Sequence, residues 1–307
     1  MMAAGGIGTR PLPSAIARAM GLVRPFASPF RALRRKPLGL VSLVLLVLMV
    51  VVTVFAPWVA PYGIDEATDR YAESPSLQHW FGTDHLGRDV LSRVLYGGRV
   101  SLLVGFASVV LGLGVGVIFG VLSGYVGGWP DILLQRLVDV FMAVPNILLA
   151  LTLVASFGAG IGNVTLAIAV GIAPRAARIV RGSTLAVREL PYIEAAESLG
   201  MSSVRLMLRH VLPNIMAPII VIASIQLGVA VIVEASLSFL GLGVPLNVPT
   251  WGNMLSGAGL RFMIRAPWMA IAPGIALTLV VVALNLLGDS LRDILDPRLR
   301  GSGGRAS

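Results

Sequence analysis

The sequence predicts an all-α, polytopic membrane protein with six transmembrane helices and both termini on the cytoplasmic side. Three observations carry that prediction. Hydrophobic residues fill 56% of the 307 positions and charged residues only 13%, where a soluble domain holds about 25% charge. Six apolar runs each approach or exceed the roughly 20 residues that a bilayer-spanning helix needs. Arginine is crowded into alternate connecting segments, which sets the orientation. The formal charge of +9 would also suit a nucleic-acid binder, but such a protein would not be this apolar, so no nucleic-acid partner is expected. With no cysteine and only three histidines (His79, His85 and His210), thiolate and disulfide chemistry are excluded. A histidine-based metal centre has little to draw on. No metal and no cofactor is expected.

Positions 1–37 read as a cytoplasmic tail, with Met1–Pro13 disordered and Ser28–Lys36 a basic interfacial segment. Arg31, Arg34, Arg35 and Lys36 place it inside. The first span, 38–60, is almost all Leu and Val. Its apolar run exceeds the ~7–15 residues of a signal-peptide core, so it is expected to be a signal anchor. Positions 61–97 form a polar periplasmic segment. A membrane core then runs over 98–288. Its second span covers about Val100–Leu122, its third about Leu137–Phe157 and its fourth about Ile161–Val180. Gly158, Gly160 and Gly162 divide the last two into a hairpin. The basic segment 181–214, with Arg181, Arg188, Arg205 and Arg209, is cytoplasmic. The fifth span covers about Ile215–Leu240 and the sixth about Pro267–Gly288, separated by an outer segment, Gly241–Ala266. A cytoplasmic tail, 289–307, carries Arg292, Arg298 and Arg300; its end, Gly301–Ser307, reads as disordered.

Within the spans, Gly112, Gly116, Gly120 and Gly124 recur every fourth residue. On a helix they share one face, which reads first as a close helix–helix seam. Glu234 stands alone in the apolar run Val229–Leu237. An intramembrane carboxylate faces either a cavity or a polar partner, so Glu234 is a candidate pathway-lining residue or a structural hydrogen-bonding one. Pro145, Pro174, Pro218 and Pro273 can kink helices.

The segment 181–214 holds the most informative pattern. Tyr192–Leu199 reads as a short helix, stopped by Gly200, which accepts positive φ. Ser202 or Ser203 can cap a second helix over Val204–Val211, and Pro213 ends it. The order is Glu194-Ala195-Ala196, then Gly200, then Leu212-Pro213. At this spacing it resembles the EAA loop of bacterial ATP-binding-cassette (ABC) importer permeases, and more narrowly the C-type subunit of dipeptide, oligopeptide, glutathione and nickel uptake systems. Further stretches carry the same resemblance: Gly82-Thr83-Asp84, Gly87-Arg88-Asp89, Arg209–Asn214, Glu234–Gly243 and Asn285–Asp293. It extends over about Leu38 to Arg298.

That resemblance implies a type I ABC importer permease fold in the bacterial cytoplasmic (inner) membrane. The chain would form half of a translocation pathway for peptides. The partners it implies are a second, B-type permease, two ABC ATPases and a periplasmic or lipid-anchored substrate-binding protein. Glu194, Ala195, Ala196, Gly200, Leu212 and Pro213 would form the ATPase-coupling loop, with no catalytic residue. The outer motif Gly82, Thr83, Asp84, Gly87, Arg88 and Asp89 reads either as a capped turn before a re-entering helix or as a contact for the binding protein or partner permease. In the first reading Asp84 or Asp89 pairs with Arg88 or Arg93.

Other classes fit less well. The sole lysine, Lys36, follows Arg35, so the Gly-Lys-Ser/Thr of a phosphate-binding loop is missing and ATP is expected on another chain. An intramembrane serine protease would need an activated serine, typically in Gly-x-Ser-x-Gly, and a base within the membrane; neither is found. A self-contained secondary transporter often shows internal repeats or several buried charges. A nickel-chelate permease is the nearer alternative.

Overall fold

The computed structural model describes residues 36–295, and every regular element among them is helical. The basic segment before Lys36 and the tail beyond Leu295, including Arg31, Arg34, Arg35, Arg298 and Arg300, lie outside the described residues. Helix α1 (Pro37–Val54) has proline in its first turn and an almost unbroken apolar sequence. Half of its residues are exposed, among them Val41, Val44, Val47 and Leu48, and only Gly39, Ser42 and Thr53 are buried, as suits a helix whose surroundings are lipid. Helix α2 (Val90–Val126) is 37 residues long, about 55 Å at 1.5 Å per residue. It starts ten residues before the expected second span and exceeds any bilayer core.

Helix α5 (Ile161–Arg188) packs along α2 more extensively than any other pair of elements pack. The reason is the glycine stripe. A Cβ at Gly116 would lie 2.5 Å from Ala176 Cβ, and one at Gly120 would lie 2.6 Å from the Ala177 carbonyl oxygen. Only glycine permits that approach. Ser108 completes the seam by donating to the Thr165 carbonyl at 3.1 Å. The expected small-residue packing face is therefore present, and its partner is α5.

The third span, expected over Leu137–Phe157 with Pro145 as a residue able to kink it, is two helices. Helix α3 (Gly128–Ala143) and helix α4 (Asn146–Phe157) meet at an 88° bend. Val144 is extended (φ −94°, ψ 129°), the conformation that a following proline imposes, and Pro145 has no N–H to continue the helix. Among the described residues, five helices are long and apolar enough to cross a membrane, or six when the bent pair counts as one span. Gly158 (φ +90°) and Gly160 (φ +157°) turn α4 into α5, as the hairpin reading expected.

Beyond the cytoplasmic segment, helix α8 (Met216–Phe239) and helix α10 (Trp268–Leu295) complete the bundle. The buried apolar interior has three parts. One lies among α2, α4, α5 and α8 around Ile168, Ile172 and Leu237. A second joins the start of α2 to α10 around Trp251 and Met269. The third lies at the inner ends of α2 and α5, around Val121, Val180 and Val211. Lys36 Nζ, just before α1, reaches Asp293 Oδ2 near the end of α10 at 2.7 Å. The first and last helices thus finish on one side, as an even number of crossings requires.

Candidate functional site

On the cytoplasmic side, α6 (Pro191–Ser198) begins with proline at its first position, where the missing N–H costs nothing. It ends in a Schellman turn. Met201 N–H donates to the Ala196 carbonyl at 3.2 Å and Gly200 N–H to the Glu197 carbonyl at 2.9 Å. Gly200 takes φ +80°, a conformation that a Cβ disfavours. Helix α7 (Ser203–Leu206) follows, passes into a π-helical turn over Met207–Val211 and finishes in Leu212–Asn214. Leu212 N–H donates to the Met207 carbonyl there. Pro213 supplies no donor, and the Asn214 side chain instead donates to the His210 carbonyl at 2.6 Å.

The six predicted loop residues are thereby brought together on one compact base. Ile193 is the buried anchor of α6, while Glu194, Ala195 and Gly200 face outward. Ala196, Met201 and Leu212 pack against the core formed by Val121, Val180 and Val211. Tyr125 Oη donates to Glu197 Oε1 at 2.8 Å and Arg188 lies over the Tyr125 ring, tying α6 to the inner ends of α2 and α5. Asn214 Nδ2 donates to Tyr192 Oη at 3.1 Å, and burial holds the Tyr192 phenol above its ordinary pKa. Around this base Leu199 (88% exposed), Val204 and Leu208 present apolar side chains outward. Apolar residues clustered on a rigid, charged surface mark an interaction face.

The outer motif is stitched to itself. Asp84 Oδ1 accepts from the backbone N–H groups of Leu86 and Arg88, and its Oδ2 accepts from Arg88 Nε at 2.8 Å, with Arg93 Nε at 3.6 Å. Asp89 caps α2: its Oδ2 accepts from Ser92 N–H and Ser92 Oγ, both at 2.8 Å. Its Oδ1 sits 3.0 Å from His79 Nδ1, so its partner is a histidine and not one of the arginines. Thr83 Oγ1 donates to the Arg70 carbonyl, and the Thr83 carbonyl accepts from Trp268 Nε1 at 3.1 Å. Gly82 (φ +72°) and Gly87 (φ +77°) make the turns. His79 and His85 do not converge: His79 stacks on Tyr62 and His85 on Phe262. No group of three metal-ligating side chains occurs among the described residues.

Glu234 is fully buried. Ser238 Oγ donates to its Oε1 at 2.8 Å, and the Ser101 and Thr250 hydroxyls turn toward the same carboxyl. Trp251, also fully buried, seals this knot with bonds from its backbone N–H to Ser101 Oγ and from its indole N–H to the Val94 carbonyl. Of the two roles expected for Glu234, the geometry favours the structural one.

One charged set went unpaired in the sequence reading. Arg181 binds Asp131 through two bonds, at 2.7 and 2.6 Å, and Arg178 binds Asp139. Both pairs join α5 to α3. The signal was there: arginines three residues apart on one helix, and acids eight apart on the helix before it.

Residues 116–301 match the family model described as binding-protein-dependent transport system inner membrane component. Residues 25–78 match the one described as N-terminal TM domain of oligopeptide transport permease C. The glutathione transport system permease protein GsiD of Shigella boydii serotype 4 (strain Sb227) is 44% identical over 295 residues, covering 94% of this chain and 97% of that one. The protein of the same name from Escherichia coli O157:H7 matches to the same extent. Among solved structures, an inward-facing conformation of the MetNI methionine ABC transporter superposes with a TM-score of 0.54 at 20% identity. It covers 67% of this chain and 97% of that chain. The last likeness is one of fold.

Proposed function

This chain belongs to the family of binding-protein-dependent transport system inner membrane components, and from that premise we propose that it carries peptides, with a glutathione-like tripeptide as the first candidate substrate. It is a multi-pass inner-membrane permease component of an ABC importer. In our reading it has no catalysis of its own and forms half of the pathway beside a second permease. Two ATPase subunits drive it, and a periplasmic or lipid-anchored binding protein delivers the substrate.

The observation that carries the coupling role is the seating of α6. Its outward surface, Glu194, Ala195 and the Leu199–Gly200 turn, is free for a partner. Its inward surface is locked to the ends of α2 and α5 through Ile193, Ala196 and Glu197. A partner that pushes on the turn therefore moves two spanning helices with it. The substrate reading rests on the relatives, which are named for glutathione transport.

The test is reconstitution of the chain with its candidate partner permease, ATPases and binding protein in proteoliposomes. Glutathione uptake is expected to require ATP and all components, and the chain alone should move nothing. Uptake driven by an ion gradient without ATP would make it a secondary transporter. ATP-driven uptake of a nickel chelate without any peptide uptake would favour the nickel alternative.

A further inference from the structure

Three elements meet at the bend of the third span. Asn146 opens α4, Arg175 stands midway along α5, and Gln226 projects from α8. All three line one cavity of about 150 Å³ beside Pro145 and Gly171. Counting 1.5 Å per residue from the outer ends of their helices, Arg175 and Gln226 lie about 20 Å deep and Asn146 about 17 Å, within the roughly 30 Å bilayer core.

The polar groups there lack partners within the chain. Gln226 is 2% exposed, yet its carboxamide makes no hydrogen bond with the described residues and reaches the cavity. The Asn146 carboxamide makes none either. Its Oδ1 is sealed where a Cβ at residue 171 would stand, which only Gly171 permits, so Nδ2 is the end left toward the cavity. The α4 terminus has no side-chain cap. Arg175 is the third member of a series along α5. Arg178 and Arg181 each hold a carboxylate from α3, while Arg175 forms no ion pair with any described residue. A buried, unpartnered amide costs about 1–3 kcal/mol, and an unpaired guanidinium at this depth costs more. Such groups persist where function needs them.

We propose that Arg175, Gln226 and Asn146 form a way station that binds a carboxylate of the transported substrate. Guanidinium and carboxamide N–H groups are all donors, and a guanidinium grips a carboxylate through two parallel bonds. Arg175 and Gln226 also line a second cavity of about 640 Å³ that includes Asn214 and Arg292 near the cytoplasmic end. A carboxylate released from the station would meet that second arginine on its way in. This rests on the peptide reading above, since every free peptide carries a C-terminal carboxylate.

The test uses the complete importer in proteoliposomes of zwitterionic lipid. Arg175→Gln is expected to slow ATP-driven glutathione import about tenfold, the loss of one charged hydrogen-bonded contact, with subunit assembly unchanged. Arg175→Lys should recover part of the loss, and Gln226→Leu should lose a smaller share. A glutathione amidated at both of its carboxyl groups isolates the contact: its import, scaled to its affinity for the binding protein, should be the same in Arg175→Gln and wild type. Unchanged glutathione import would overturn the proposal. So would equal losses for the free and amidated substrates, which indicate a structural role. Loss that disappears when anionic lipid is added would assign the guanidinium to a lipid phosphate and also overturn it. If the wild type imports tetra-alanine and not glutathione, the substrate reading above fails, and tetra-alanine with its amide decides this one.

Discussion

The outer segment before α2 and the cytoplasmic loop before α8 are both motif-rich, and they spend their polar groups in opposite ways. In the outer segment Asp84, Asp89, Thr83 and His79 are buried and bound to neighbours in the same segment or to Trp268. In the cytoplasmic loop the structure is made by backbone bonds, a positive-φ glycine, the buried Ile193, Leu206 and Val211, and side-chain bonds to Glu197 and from Asn214, which leaves Glu194 and Leu199 free. A sequence motif can therefore mean either a self-satisfied turn or a surface kept open for a partner. Burial of its polar side chains tells the two apart.

That contrast can be broken by mutation, taken in order of the expected change in folding stability. Asp89→Ala removes the cap of α2 and leaves His79 and Ser92 without their acceptor. It should cost about 3 kcal/mol, read as a lowered melting temperature, with uptake falling only as folded protein is lost. Gly200→Asp places a Cβ at φ +80° and should cost about 1 kcal/mol. Membrane insertion should survive, but uptake should be abolished because the turn proposed to meet the ATPase is altered. Wild-type transport by that variant would sink the coupling assignment. Glu194→Ala, on an exposed face, should change stability by less than about 0.5 kcal/mol while ATP-driven uptake drops about tenfold. A melting shift as large as that of Asp89→Ala would erase the distinction between the two regions.

The smallest effect is one of pH. Burial holds the His85 imidazole below its ordinary value of 6.5, and its Nδ1 has no hydrogen bond. Below that value the unfolded chain binds more protons than the folded one. The stability contributed by neutral His85 is therefore complete above 6.5 and declines as pH falls. His85→Phe keeps a ring against Phe262, and its melting temperature should fall less between pH 7.5 and 5 than that of the wild type.

Most of the fold was legible because lipid leaves a chain few choices: long apolar runs must be helices. The glycine stripe announced a seam, and Gly200 announced a turn. Pro145 was visible as a kink, yet the 88° bend depends on how α4 packs against α5 and α8, which no local pattern encodes. Of the two acids expected to pair with Arg88 or Arg93, Asp84 does so; Asp89 instead meets His79, which returns to it through a loop held by Tyr62 and Ser76. Arg175 falls inside the fourth span expected over Ile161–Val180, yet nothing local in the sequence places it beside Asn146 and Gln226, which come from two other helices. The candidate site was thus readable where it rests on turn chemistry, and hidden where residues from three helices converge.

The glycine seam makes α2 and α5 act as a single lever. Its long arm is the length of α2, about 55 Å, and its short end carries the cytoplasmic turn. A tilt of about ten degrees about the inner end would swing the outer end through roughly 10 Å for a rod of that length. Asp89 and Thr83 sit at that far end. A small displacement delivered to the cytoplasmic turn would therefore become a movement of roughly 10 Å at the outer end.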